Sequence, residues 1–359
     1  MKNVPELRFN EFNDEWKEEM LGNILKYEQP NKYISQELNK KGNTPVLTAN
    51  KSFILGYTNE ANYIYTNLPA IIFDDFTTDN KYVNFPFKIR SGAIKILTHK
   101  KHNIKFVYYK MNLIKFKLGN EHKRYWISEF QYLKISFPSL PEQQKIVSFI
   151  SAIDKKIELT DKKLEFLEKY KKGLMQKLLT GEIIFPGFNN EWKEIILKKA
   201  AEFQKGTSIT KHFTSSGNIP VIAGGTKPAY FHNQFNRNEP IITLSSSGAS
   251  AGYVNFFEIP IFASDCFTIK GKEKTLNTKF LFFILKNIQD KIYLLQHGGA
   301  QPHIYPKDLF NFKFYYPSLP EQQKIALFLS TIDKKIELVK LRLENLKRYK
   351  KGLLQKMFV

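Results

Sequence analysis

The chain has 359 residues, 42% hydrophobic and 25% charged, a balance that suits two ordinary globular domains and excludes wholesale disorder. It carries 55 Lys+Arg against 34 Asp+Glu, a net +21 at pH 7, which points to a polyanion partner and most simply to nucleic acid. Its one cysteine, Cys266, excludes an internal disulfide and a cysteine-based zinc site and suits a cytoplasmic location.

Only six of the basic residues are Arg and 49 are Lys. An A/T-rich genome also enriches lysine, but it enriches glutamate with it, so the surplus is read as functional. Residues 1–6 hold no apolar signal core. The longest apolar run, residues 280–285, falls far short of the ~20 residues of a membrane span.

Residues 1–137 read as a mixed α/β domain. "FNEFNDEWKE" begins at Phe9 and "GNTPVL" at Gly42; "AIIFDDF" from Ala70 and "GAIKIL" from Gly92 read as strands between Gly, Asn, Pro and Thr clusters. Three loops mix small polar, basic and aromatic residues: "TANKSFILGYTN" from Thr48, "DDFTTDNKYVNF" from Asp74 and "GNEHKRYW" from Gly119. Such side chains match base edges, and glycine- or serine-rich backbone can hold phosphate. The DNA-binding candidates here are Lys51, Tyr57, Thr77, Thr78, Lys81, Arg90, His122, Lys123 and Arg124. Arg124, beside His122 and Lys123, is the strongest candidate for a guanine contact. Asp74, Asp75 and Asp79 lack a following Glu-x-Lys on a strand and read as a surface loop rather than a metal site.

From Pro138 to Leu178 the sequence predicts one long helix. Pro141 suits the first turn and Glu142 the positive dipole end, and Gly173 is the only interruption in the rest of the segment. At about 1.5 Å per residue, ~37 residues span roughly 55 Å. One heptad register holds Ile146, Ile153, Thr160, Leu167 and Leu174, and the other Ile150, Ile157, Leu164, Lys171 and Leu178. Lys155, Lys156, Lys162, Lys163, Lys171 and Lys172, mostly off the seam, read as a solvated face.

Residues 181–316 echo the first domain. "FPGFNNEWKE" at Phe185, "GNIPVI" at Gly217 and a second "YVNF" at Tyr253, the first being at Tyr82, lie at offsets of 176, 175 and 171, so loop lengths differ. "PIITLS" from Pro240 and "IFASDCFTI" from Ile261 read as strands, and residues 279–295 as a buried helix, apolar all round. The loops are "AGGTKPAYFHNQFNRN" from Ala223, "SSSGASAGYVNF" from Ser245 and "HGGAQPHIY" from His297. The candidates are Lys227, Tyr230, Arg237, Ser245, Ser246, Ser247, Gln301 and His303.

From Pro317 to Met357 the long helix returns at an offset of 179 without a gap, with 28 of 41 positions identical. Its registers are Ile325, Ile332, Val339, Leu346, Leu353 and Leu329, Ile336, Leu343, Lys350, Met357; over both copies 17 of the 20 positions are apolar, which specifies a coiled-coil seam. The expected organisation is residues 1–137, 138–180, 181–316 and 317–359: an α+β protein with two mixed α/β domains separated by two long antiparallel coiled-coil helices, a pseudo-two-fold internal repeat. A homodimer on such a frame reads a palindrome. Two unlike domains read two unlike half-sites, inverted, at a separation that the helices set.

Motifs for chemistry are missing. Asn84-Phe85-Pro86-Phe87 lacks the first proline of an adenine methyltransferase Asn/Asp-Pro-Pro-Tyr/Phe motif. No phosphate loop occurs and the seven His residues show no zinc spacing. No catalytic or metal-ligating residue is expected.

The two copies of "PSLPEQQKI", the Trp-Lys-Glu openings at Trp16 and Trp192 and "GGAQPHI" at Gly298 resemble the specificity subunits of type I restriction-modification enzymes, over essentially the whole chain. The resemblance implies two target-recognition domains, a bipartite asymmetric target in double-stranded DNA and no cofactor on this chain. It also implies two methyltransferase subunits using S-adenosylmethionine and, in the full complex, motor-nuclease subunits using ATP and Mg. No membrane partner is implied. In the first domain the counterpart of "GGAQPHI" is "GNEHKRYWI" from Gly119, without the Gln-Pro-His element, so the two domains are expected to read different sequences. Two other readings stay open: a self-sufficient restriction enzyme with a degenerate nuclease centre, and a stand-alone regulator or silent recombination partner.

Overall fold

The computed structural model describes residues 4–50, 52–99, 101–119, 123–189 and 191–358. The first half runs β1 (Lys17–Met20), α1 (Leu21–Ile24), β2 (Leu25–Glu28), β3 (Thr44–Leu47), β4 (Ile54–Thr58), β5 (Ala70–Asp74), β6 (Asn80–Val83), β7 (Lys88–Ile89), β8 (Ile94–His99), α2 (Ile104–Met111), α3 (Tyr125–Ser128), β9 (Lys134–Phe137) and the 40-residue α4 (Leu140–Leu179). The second runs β10 (Lys193–Ile196), α5 (Leu197–Ala200), β11 (Ala201–Lys205), β12 (Ile219–Ile222), β13 (Tyr230–His232), β14 (Ile241–Ser245), β15 (Val254–Phe257), β16 (Phe262–Ala263), β17 (Cys266–Gly271), α6 (Thr278–Asn287), α7 (Gln289–Tyr293), α8 (Pro306–Leu309), β18 (Lys313–Tyr316) and the 39-residue α9 (Leu319–Met357).

One sheet plan occurs twice. Strand orders β1-β9, β2-β8-β5-β6 and β4-β3-β7 in the first half match β10-β18, β11-β17-β14-β15 and β13-β12-β16 in the second. Among the strand pairs of the described residues, β3–β7 and β12–β16 run parallel and the others antiparallel. The unbroken apolar run of β5 follows from burial on both faces: Ile71 and Phe73 join one core with α2 and Trp126, while Ala70 and Ile72 join another with Ile94 and Ile96. Fully burying each such side chain contributes roughly 1.5–3 kcal/mol.

The chain packs as two units, residues 1–160 with 342–359 and residues 161–341. In the first, Ile146, Ile150 and Ile153 of α4 share a core with Leu353, Met357 and Phe358, and Asp154 takes Lys350 at 2.5 Å. In the second, Leu167 packs on Ile332, Ile336 and Val339. There Glu168 pairs with Lys340 and Lys171 with Asp333, so partner numbers fall as α4 rises and the helices are antiparallel. Ile157, Leu164 and Leu346 are half-buried, Ile325 and Leu343 buried, and none of the 20 seam positions is exposed. The expected fold class holds. A further sign of the repeat is that Leu7 N–H bonds the Lys356 carbonyl at 2.8 Å as Ile183 N–H bonds that of Lys177 at 3.2 Å.

Two expectations need correction. Tyr82 lies opposite Ile71, whereas Ile242, the counterpart of Ile71, faces Phe256. The second "YVNF" is therefore three residues out of structural register, because residues 246–253 join β14 to β15 where residues 75–79 join β5 to β6. The helix expected over residues 279–295 is α6 and α7, broken at Ile288, and Leu294 beyond it is 85% exposed.

Candidate nucleic-acid interface

In the first unit β5 ends at Asp74, whose Oδ1 accepts the N–H groups of Phe76 and Thr77 at 2.9 and 3.0 Å; Thr78 is left-handed, φ 59°. The connection from β5 to β6, residues 75–79, is tied to the start of α3. The Asp75 carbonyl accepts Tyr125 N–H at 2.8 Å, and its Oδ1 accepts Trp126 N–H at 2.9 Å. Thr77, Thr78, Lys123 and Arg124 are thus brought to one place. Lys123 forms an ion pair with Glu129 and lies over the Tyr125 ring; Arg124 is exposed.

Beneath them lies Lys95, a residue the sequence reading missed. Its Nζ donates to the Gly92 carbonyl at 2.7 Å and Gln29 Oε1 at 3.0 Å, and lies 3.8 Å from Asp75 Oδ2. Both Lys95 and Asp75 are fully buried. Burial pushes the Asp75 carboxyl up and the Lys95 ammonium down. Burial first, then the charge of Asp75, pushes the Tyr27 hydroxyl up to about 12.

The second unit repeats this geometry with other chemistry. Ile304 N–H bonds the Ser246 carbonyl at 3.1 Å, the counterpart of the Tyr125–Asp75 bond. His297 and His303 exchange two backbone bonds of 2.8 Å, and Gly248 N–H reaches the Pro302 carbonyl at 2.9 Å. "GGAQPHI" is therefore a hairpin laid along the serine loop. Ser246 Oγ donates to Asp265 Oδ1 at 2.5 Å and Ser247 Oγ donates to Oδ2. Buried Ser245 donates to the Gly224 carbonyl at 2.7 Å, which draws in the loop carrying exposed Lys227. A Cβ on Gly224 would stand 2.8 Å from the Ser247 carbonyl, so the close approach requires glycine. Ser245, Ser246, Ser247, Lys227, Gln301 and His303 converge on this cluster of three loops.

Other candidates lie elsewhere. Tyr57 exchanges backbone bonds with Asn39 in β4, and Lys81 is half-buried in β6. Arg90 donates to the carbonyls of Ser35 and Gln36. Arg237 donates to Thr268 Oγ1 and to the carbonyls of Asn236 and Lys205, and Tyr230 to that of Ile209. Arg90, Arg237 and Tyr230 spend side-chain donors on holding their own domains together. Lys51 and His122 lie outside the described residues.

The repeated "PSLPEQQ" builds the joint between domain and helix. The Gln143 amide donates to the Pro138 carbonyl at 2.9 Å and accepts Asn103 N–H at 3.0 Å; Gln322 does the same with Pro317 and Asn277, both at 2.8 Å. Asn103 and Asn277 cap α2 and α6, so one buried amide holds two helix starts together. Glu142 pairs with Arg8 at 2.8 Å. Its counterpart Glu321 is buried with no hydrogen-bond partner at either oxygen among the described residues, and Ile184 stands at the position matching Arg8.

One domain plan is thus presented twice with unlike loops. The model of the type I restriction modification DNA specificity domain matches residues 13–169 and again 189–348, and the chain belongs to that family. It is 31% identical over 354 residues to the EcoR124I/EcoR124II specificity subunit of Escherichia coli, covering 87% of this chain and 85% of the relative. It is 23% identical over 395 residues to the MjaVIII specificity subunit of Methanocaldococcus jannaschii, covering 95% and 91%. Its fold is similar to that of the type I restriction-modification S subunit from M. genitalium, with TM-score 0.76, 19% identity and 99% of both chains covered. Among the described residues no His, Cys, Asp and Glu group is placed to hold a metal ion, and no helix is long and apolar enough to cross a membrane.

Proposed function

We propose that the chain is the DNA sequence-recognition subunit of a type I restriction-modification complex. It reads a bipartite asymmetric target and directs methyltransferase and nuclease/translocase subunits to it, itself catalysing nothing. The observation that carries this reading is the duplicated plan with non-duplicated loop chemistry: Asp75, Lys95 and Arg124 in one domain stand where Ser246, Phe267 and His303 stand in the other. One docking geometry then serves two different base sequences. The +21 charge supplies backbone affinity that salt weakens, and side chains at base edges supply the discrimination.

Two methyltransferase subunits dock on the helices in this reading. Outward apolar side chains suit that role: Phe166 (65% exposed) and Tyr170 on α4, Leu338 (67%) and Leu341 on α9. S-adenosylmethionine, ATP and Mg serve the partner subunits, and the complex works in the cytoplasm. Binding of a target duplex by the chain co-purified with methyltransferase subunits, over a salt series, tests the reading. Affinity falling steeply with salt supports it, and no binding at low salt contradicts it. The purified chain with Mg and DNA should neither cut nor methylate, which separates this reading from a self-sufficient enzyme.

A further inference from the structure

The hydroxyl protons of Ser246 and Ser247 are both committed to one carboxylate, Asp265. A serine hydroxyl has one donor and two acceptor positions. With its proton spent on Asp265, each of these hydroxyls can offer a further partner only lone pairs. The loop that carries them is fixed from both sides, by Gly248 N–H on the Pro302 carbonyl and by Ser245 Oγ on the Gly224 carbonyl, so the acceptors are preorganised. Asp265 itself is exposed, immediately before β17.

In the major groove the base donors are the amino groups of adenine and cytosine, whereas guanine and thymine present acceptors at the matching positions. We propose that Asp265 is a specificity-determining positioning residue of the second domain. By holding Ser246 and Ser247 as acceptors, it makes one position of the second half-site require an amino-bearing base, adenine or cytosine. The inference rests on the DNA-reading function proposed above and adds the chemistry of one contact.

The first domain supplies the contrast. Strand register places Ala93 where Asp265 stands, and Asp75 where Ser246 stands. There the carboxylate has moved into the loop, is buried, and accepts Trp126 N–H, while the exposed group is Arg124, a pure donor. At this place the two domains thus present groups of opposite polarity, the Arg124 donor in the first and the Ser246 and Ser247 acceptors in the second. A carboxylate facing a polyanion costs affinity, a cost that is retained where it excludes wrong bases.

The test is the methylated motif in cells co-expressing methyltransferase subunits with the wild-type chain, with Asp265→Asn, or with the Ser246→Ala/Ser247→Ala double variant. An amide at position 265 still accepts one serine hydroxyl through its oxygen but donates to the other, whose proton is then free to act as a donor. At one base pair of the wild-type second half-site the amino group should lie on one fixed strand, so that A·T or C·G is accepted and the reversed pairs are not. In both variants the discrimination against G or T there should fall roughly tenfold or more, with the first half-site unchanged. If Asp265→Asn is too unstable to yield a motif, the serine variant decides. A second half-site that is unaltered in both variants overturns the proposal. Absence of any motif that depends on the wild-type chain would instead overturn the function on which it rests.

Discussion

Lys171 Nζ lies 2.5 Å from Asp333 Oδ1, and the repeat offset of 179 converts this pair into Lys350 and Asp154, also at 2.5 Å. Each lysine also lies over an aromatic ring, Phe283 at 5.5 Å and Tyr109 at 5.4 Å. In the sequence the two lysines look like breaks in an apolar heptad. In the structure each is the half of an interhelical pair that closes only when α4 and α9 are antiparallel and in this register, the role best attested for polar groups in coiled-coil seams.

A double-mutant cycle on Lys171→Met and Asp333→Ala, followed by urea denaturation, should give a coupling energy on the order of 1 kcal/mol, kept small because Asp333 is 40% exposed. Fully additive effects would show that the pair does not hold the register.

Gln143→Ala and Gln322→Ala should each destabilise the chain by about 1–3 kcal/mol, because each leaves a carbonyl and an amide N–H unpaired at a buried joint. Chemical denaturation measures this, and a loss within the error of a surface substitution would contradict the clamp.

Burial pushes the Glu321 carboxyl above its ordinary range. The folded state therefore holds this proton more tightly than the unfolded chain. Its contribution to stability is full below the ordinary glutamate range and is lost as pH rises through the folded value. Glu321→Gln should flatten that part of the melting-temperature profile. Ile184→Arg should flatten it too, by supplying the partner that Arg8 gives Glu142. Profiles that stay parallel to wild type in both variants would contradict this.

Arg124→Ala should weaken discrimination at one position of the first half-site by about 1–3 kcal/mol and leave the second untouched. Binding competition with single-base variants of the target measures it. A uniform loss over all sequences would make Arg124 a phosphate contact.

The parts legible in the sequence are those set by local periodicity or by repetition. The heptads gave α4 and α9 within a residue or two of their ends, and the apolar runs gave β5 and β14. What escaped depends on contacts distant in sequence. Lys95 sits in a run that reads as a plain strand, and only pairing with β5 places it under Asp75. Gln143 looks like a solvated first-turn residue until Asn103, 40 residues away, is brought to it. Arg90 and Arg237 have the chemistry of base readers, but neighbouring carbonyls claim their guanidinium groups. The three-residue slip of "YVNF" reflects a longer loop, which a sequence match cannot locate.

The most direct measurement is an adenine-methylation map of cells carrying the methyltransferase subunits, with this chain, without it, and with one heptad inserted near Thr160. The account predicts a motif with two dissimilar specified parts and an unspecified gap, seen only when the chain is present, with the same two parts but a different gap in the insertion variant. A motif indifferent to the chain, a palindromic one, or an insertion that alters the specified bases and keeps the gap would contradict it.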